Sequence, residues 1–142
     1  MTELLILAGV IAATAALSLW WRVRDGQVRA VDDRFSAAEL AALDAPARHR
    51  LLVEFTAPSC APCAAARRVL DEVAADHADV AVRTLDVGER ADLARRHKVL
   101  RAPTTFVVAA DGTVRGRVAG VPDRTAVARL LDKASANRER AA

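Results

Sequence analysis

The order of apolar runs predicts an α/β chain: a mixed central β-sheet flanked by helices, preceded by one N-terminal transmembrane helix. Three observations carry this. The first strand-like runs are separated by helical periods, which covers a sheet with helices on both faces. Two later runs are joined by Ala110-Asp111-Gly112, a hairpin signal that adds an antiparallel pair. Residues 4–21 hold no formal charge. The 142 residues less that segment leave roughly 110, enough for one core and one domain.

Residues 4–21 are long enough, at the short end, to span a bilayer, and Trp20-Trp21 suits a membrane interface. The rival reading is a cleaved secretory signal. Met1-Thr2-Glu3 lacks the basic start of such a signal, and the run exceeds a usual signal core, so an anchor is expected. Arg22, Arg24 and Arg29 follow the helix, and the positive-inside rule then places the C-terminal side in the cytoplasm. A short segment with few charges can insert either way, so an extracytoplasmic domain stays open.

Residues 22–34 read as a juxtamembrane linker, with Asp25-Gly26 and Asp32-Asp33 as turn signals and room for a first strand at 27–31. The domain is expected over 35–136. Ser36 and Glu39 form a capping box for a helix to about Leu43, stopped by Asp44, Ala45 and Pro46. Residues 51–56 are the central strand. Residues 64–76 are a helix with Val69, Leu70 and Val73 on its apolar face. A strand over 80–87, a helix over 90–98 and a hairpin over 104–109 and 113–119 follow. Pro122 and Asp123 open a last helix ending near Ala136, and 137–142 reads as a flexible tail.

Composition narrows the function. The net charge of +3 is modest, and the basic residues are scattered among acids without aromatic interleaving, which excludes a nucleic-acid groove. Nothing signals a bound organic cofactor. His49, His77 and His97 are single residues in polar settings, read as solvated, and a zinc site at the cysteines would need two ligands more, so no metal is expected. The tracts Arg67-Arg68 and Arg95-Arg96-His97-Lys98 read as exposed helix faces.

Both cysteines of the chain lie in Cys60-Ala61-Pro62-Cys63, between the central strand and the next helix. A pair three residues apart on a first helical turn can bond. The free amides of that turn and the helix dipole stabilise the thiolate of the first cysteine. Cys60 is therefore the expected nucleophile and Cys63 the resolving thiol, with Ala61 and Pro62 setting the redox poise.

The stretch from Val53-Glu54-Phe55 through Cys60-Ala61-Pro62-Cys63 resembles the thioredoxin signature, and Pro103, forty residues on, resembles the family's cis-proline. Asp111-Gly112 and Gly120 fall where thioredoxins carry similar residues. The resemblance covers about 35–136 and implies a thioredoxin fold. It implies that Glu54 is the buried acid that takes the proton of Cys63, its pKa raised by desolvation. The other reading puts Glu54 in solvent on a sheet edge. The resemblance also implies that Ala102 offers backbone pairing to a substrate beside a cis Pro103, the alternative being an ordinary loop proline.

There are departures. Ser59 stands where the family has tryptophan and Thr56 where it has an aromatic residue, which reduces the apolar surface offered to a partner. Ala61 replaces a glycine. The lysine that pairs with the buried acid in many thioredoxins falls on Thr84, beside Arg83, so that pairing is expected to be missing and Glu54 to titrate higher.

The resulting expectation is a membrane-tethered thiol-disulfide oxidoreductase that reduces disulfide-containing protein substrates through Cys60 and Cys63. It would be recharged by an electron-donating reductase or a membrane electron carrier. Two alternatives stay open: an extracytoplasmic oxidant or isomerase, and a non-catalytic binding module in which the cysteines are incidental.

Overall fold

Leu51, Leu52, Val53 and Phe55 are all withdrawn from solvent, as happens only in a strand with a neighbour on each edge and a helix layer on each face. The computed structural model of the chain describes residues 1–139. Its elements run α1 Thr2–Arg24, β1 Val28–Arg29, α2 Ala37–Ala42, β2 Arg50–Thr56, α3 Ala61–Ala75, β3 Val80–Asp86, α4 Ala91–Arg96, β4 Thr104–Val108, β5 Val114–Ala119 and α5 Arg124–Glu139. The sheet order is β1-β5-β4-β2-β3. β2 and β3 are parallel and joined through α3, and the other neighbours are antiparallel. This is the mixed sheet that the element order predicts.

Alternation along β2 builds two cores. Leu51, Val53 and Phe55 join Phe35, Leu43, Leu93 and Phe106 on the α2 and α4 side. Leu52 joins Leu70 and Val73 of α3, Val107 of β4, and Val127 and Leu131 of α5. Each such side chain contributes on the order of 1.5–3 kcal/mol by leaving water. Glu54 shares the parity of Leu52, so the pleat sends its carboxyl to the α3 side.

Helix α1 is apolar over Thr2–Trp21, and none of that stretch is buried. At 1.5 Å per residue it reaches about 30 Å, long enough to cross a bilayer. The Thr14 hydroxyl is satisfied within the helix, donating to the Val10 carbonyl at 2.8 Å.

Three boundaries differ from expectation. The first strand for which 27–31 left room is only two residues long, and its flanks also join the sheet: Val28 and Arg29 pair with Val118 and Arg117, the Gly26 amide donates to the Ala119 carbonyl at 2.9 Å, and Arg34 bridges Thr113. The cause is the otherwise open edge of β5, whose main-chain groups need partners. Helix α3 begins at Ala61 rather than Ala64, because Pro62 costs nothing in a first turn whose amides have no helical acceptor. Helix α5 continues to Glu139, and 140–142, the rest of the expected tail, lie outside the described residues.

His97 also departs from its reading as a solvated residue. It is 2% exposed, its ring stacks on Phe35 at 3.9 Å between centroids, and its Nδ1 lies 2.7 Å from Asp33 Oδ2. Its other nitrogen is 3.7 Å from Glu39 Oε1. The imidazole therefore ties the segment before the domain, and the capping box of α2, to the end of α4. His97→Ala removes a buried ring and takes the imidazole away from Asp33 Oδ2. We expect a loss of about 2–4 kcal/mol in urea unfolding of the full chain in detergent.

Candidate active site

Strand β2 ends at Thr56 and delivers the chain to a tight turn in which the Cys60 amide donates to the Ala57 carbonyl at 3.3 Å. Ser59 completes that turn with φ of 59°, a left-handed conformation unusual for a residue with a side chain and common at functional sites. Cys60 is the N-cap of α3, and Ala61 and Pro62 lie exposed in the first turn. Cys60 and Cys63 form a disulfide with their Cα atoms 5.4 Å apart. Cys63 is 7% exposed and Cys60 is half-buried, so the sulfur at the helix terminus is the one that a partner reaches first.

Facing this turn is the loop before β4. The Ala102–Pro103 peptide is cis. Three contacts hold the loop: the Gly120 amide donates to the Pro103 carbonyl at 2.8 Å, the Thr104 hydroxyl donates to the Arg101 carbonyl at 2.7 Å, and the Arg101 guanidinium reaches the Ala119 carbonyl at 3.1 Å. Arg101 also pairs with the carboxylate of Asp25. Gly120 has φ of +98°, and a Cβ there would sit 3.3 Å from the Gly26 amide nitrogen, so this close approach of two chain segments requires glycine. A groove of about 300 Å³ is lined by Pro62, Arg101, Ala102, Pro103, Gly120, Val121 and Asp25. Leu100, at 90% exposure, stands on the same loop. The structure thus brings Cys60, Cys63, Ala61, Pro62, Ser59, Ala102 and Pro103 to one end of the sheet.

Glu54 lies beneath, at 0% exposure. The edge-in-solvent reading fails because β2 is interior to the sheet and both its faces are covered. Glu54 Oε2 accepts from the Thr84 hydroxyl at 3.4 Å, across the β2–β3 register pair. Thr84 in turn accepts from the Arg67 guanidinium, which is also 3.3 Å from Asp71. Burial pushes the Glu54 carboxyl above the usual glutamate range, opposed by the charge of Arg67 and the Thr84 hydrogen bond and assisted by Asp71. Arg83 does not take part: it binds the Leu43, Val82 and Asp44 carbonyls.

Two elements of this site escaped the sequence reading. Arg67 is exposed, as its tract predicts, but it also lies one helical turn beyond Cys63 and reaches the Thr84 hydroxyl, a role that the i, i+4 spacing from Cys63 could have suggested. Asp25 and Arg101 are far apart in sequence, and no local pattern links them. Among the described residues, no group of three or more His, Cys, Asp or Glu side chains is placed to hold a metal ion.

Comparison with known proteins places this geometry. The sequence profile of the Thioredoxin family matches residues 30–133. Thioredoxin of Staphylococcus aureus (strain Mu50 / ATCC 700699) is 37% identical over 83 residues, which are 58% of this chain and 79% of that protein. Among solved structures, a chloroplastic thioredoxin z superposes with a TM-score of 0.59 at 24% identity, covering 76% of this chain and 98% of the other. Mitochondrial thioredoxin 3 of Saccharomyces cerevisiae, in its oxidised form, gives 0.55 at 24% identity, covering 66% and 87%.

Proposed function

Since the chain belongs to the thioredoxin family and is a thioredoxin-like disulfide oxidoreductase, we propose that it reduces protein disulfides while tethered to a membrane by residues 4–21. The observation that carries the chemistry is the Cys60–Cys63 disulfide at the N-terminus of α3, with one sulfur accessible and the other buried. We take the domain over 35–136, extended toward Val28 by the edge strand.

In the proposed cycle the Cys60 thiolate attacks a sulfur of the substrate disulfide. The S–S bond breaks, the leaving sulfur takes a proton, and a mixed disulfide forms. Cys63 then gives its proton to Glu54 and attacks Cys60 Sγ. The internal disulfide forms, the second substrate sulfur leaves as a thiolate and takes up a proton, and the substrate departs as a dithiol, two electrons richer. Ala102, beside Pro103, offers its main chain to an extended substrate segment across the groove, flanked by Ser59, Ala61 and Pro62. A reductase or a membrane electron carrier returns the two electrons.

The arginines after the apolar helix favour a cytoplasmic domain. The equilibrium reduction potential of the Cys60 and Cys63 couple, titrated in the full chain in detergent, tests the direction of flow. A value near about −270 mV is the expected result for a reductase, whereas about −180 to −120 mV would replace it with an outward-facing isomerase or oxidant. A reporter fused to the C-terminus and a mass measurement of the mature N-terminus test the tether. Loss of residues 1–21 from the mature chain would overturn it.

A further inference from the structure

The reading of Glu54 as proton acceptor raises the question of what holds its carboxylate in a site that burial makes costly for charge. Direct pairing with a cation on β3 is absent, because Thr84 occupies the register position beside Glu54 and Arg83 faces elsewhere. The cation comes instead from α3. The Arg67 guanidinium can only donate, and an ionised carboxylate can only accept. A hydroxyl between them is therefore oriented one way: it accepts from Arg67 Nη1 and donates to Glu54 Oε2. That chain favours the ionised carboxylate over the neutral acid.

We infer that Arg67 is a positioning residue for the resolving step, acting through the Thr84 hydroxyl to hold the Glu54 carboxylate as acceptor of the Cys63 proton. The inference rests on the proton-acceptor role of Glu54. Arg67 sits one turn after Cys63 on the same helix, so the resolving thiol and the cation belong to one element. The groups around Glu54 are few. Arg67 and Asp71 face it from α3 and Thr84 from β3, while Thr105 is its register partner on β4. Asp71 also accepts from Arg67 Nε, which fixes the guanidinium. As an exposed ion pair alone, Arg67 with Asp71 would be worth little. The link through Thr84 gives the side chain a second role.

The test follows resolution directly. The full chain in detergent is reduced, Cys60 is converted to a mixed disulfide with an aromatic thiol, and release of that thiol by Cys63 is timed in stopped flow across pH. The expected profile has an inflection from Glu54. Arg67→Gln and Thr84→Val each move that inflection to higher pH, the double variant moves it no further than the larger single one, and Arg67→Lys returns it toward the parent position. Unfolding midpoints in urea stay close to the parent for Arg67→Gln, which a merely structural role would not combine with a shifted profile. If Glu54→Gln removes the inflection but Arg67→Gln or Thr84→Val leaves it in place, the relay is overturned and the role of Glu54 stands. If Glu54→Gln leaves the inflection unchanged, the role of Glu54 falls and the relay with it.

Discussion

Cys60→Ser is expected to abolish reduction of a disulfide-bonded test protein, a loss of about 10³-fold or more, while Cys63→Ser arrests the chain as a mixed disulfide. The difference follows from where the two sulfurs sit. Cys60 is the N-cap of α3, where unpaired amides and the positive end of the helix dipole favour an anion, and it is open to solvent on one side. A serine hydroxyl in that place is almost wholly protonated near neutral pH and forms no disulfide. Cys63 lies one turn inward at 7% exposure, beyond reach of a bulky partner but in bonding distance of Cys60. Its loss removes only the second step. Gel analysis without reductant, after incubation with the test protein, separates the outcomes: a covalent adduct for Cys63→Ser and none for Cys60→Ser. A Cys60→Ser chain that kept its activity in cells would make the fold a binding platform and the cysteines incidental.

Much of this was legible beforehand because the signals are local. A capping box needs only Ser36 and Glu39 at the right spacing, and both of its hydrogen bonds form. The strand and hairpin periods of β2, β4 and β5 are short-range patterns, and the Cys-x-x-Cys pair is four consecutive residues. What escaped depends on contacts between distant segments. His97 stands in a basic tract, yet its surroundings are set by Phe35 and Asp33, more than sixty positions earlier, as the 64-residue separation of the Asp33 contact makes plain. A first strand at 27–31 is legible in the sequence, but its length is not: pairing with the open edge of β5 confines it to Val28 and Arg29. Thr84 does lie beside Glu54, but the nearby cation is on another element, and only the packing of α3 on β3 brings Arg67 to that hydroxyl.

The buried acid gives the last expected result. Glu54→Gln should make the protein more stable at neutral pH and a slower catalyst. Burial raises the Glu54 pKa above the ordinary glutamate value of 4.5, against the opposing pull of Arg67 and Thr84. Between 4.5 and the raised midpoint the folded chain keeps a proton that the unfolded chain has released. By linkage, stability then falls as pH rises through that window. The penalty is fully present above the folded midpoint and vanishes below the unfolded one. Glutamine has nearly the shape of the protonated acid, carries no charge, and can still accept from Thr84 through its amide oxygen. Urea unfolding of the variant should therefore give a higher midpoint than the parent at about pH 8, with the gap closing toward about pH 4. In the same variant Cys63 has lost its proton acceptor, and resolution should slow by about 10²-fold, the lower end of what a positioned base contributes. A stability gap that persists at acid pH, where parent and variant are both uncharged at this position, would mean that the gain comes from packing or hydrogen bonding and not from removal of a buried charge. Gain and loss together in one substitution would identify Glu54 as a group whose destabilising charge is retained because the resolving thiol needs somewhere to send its proton.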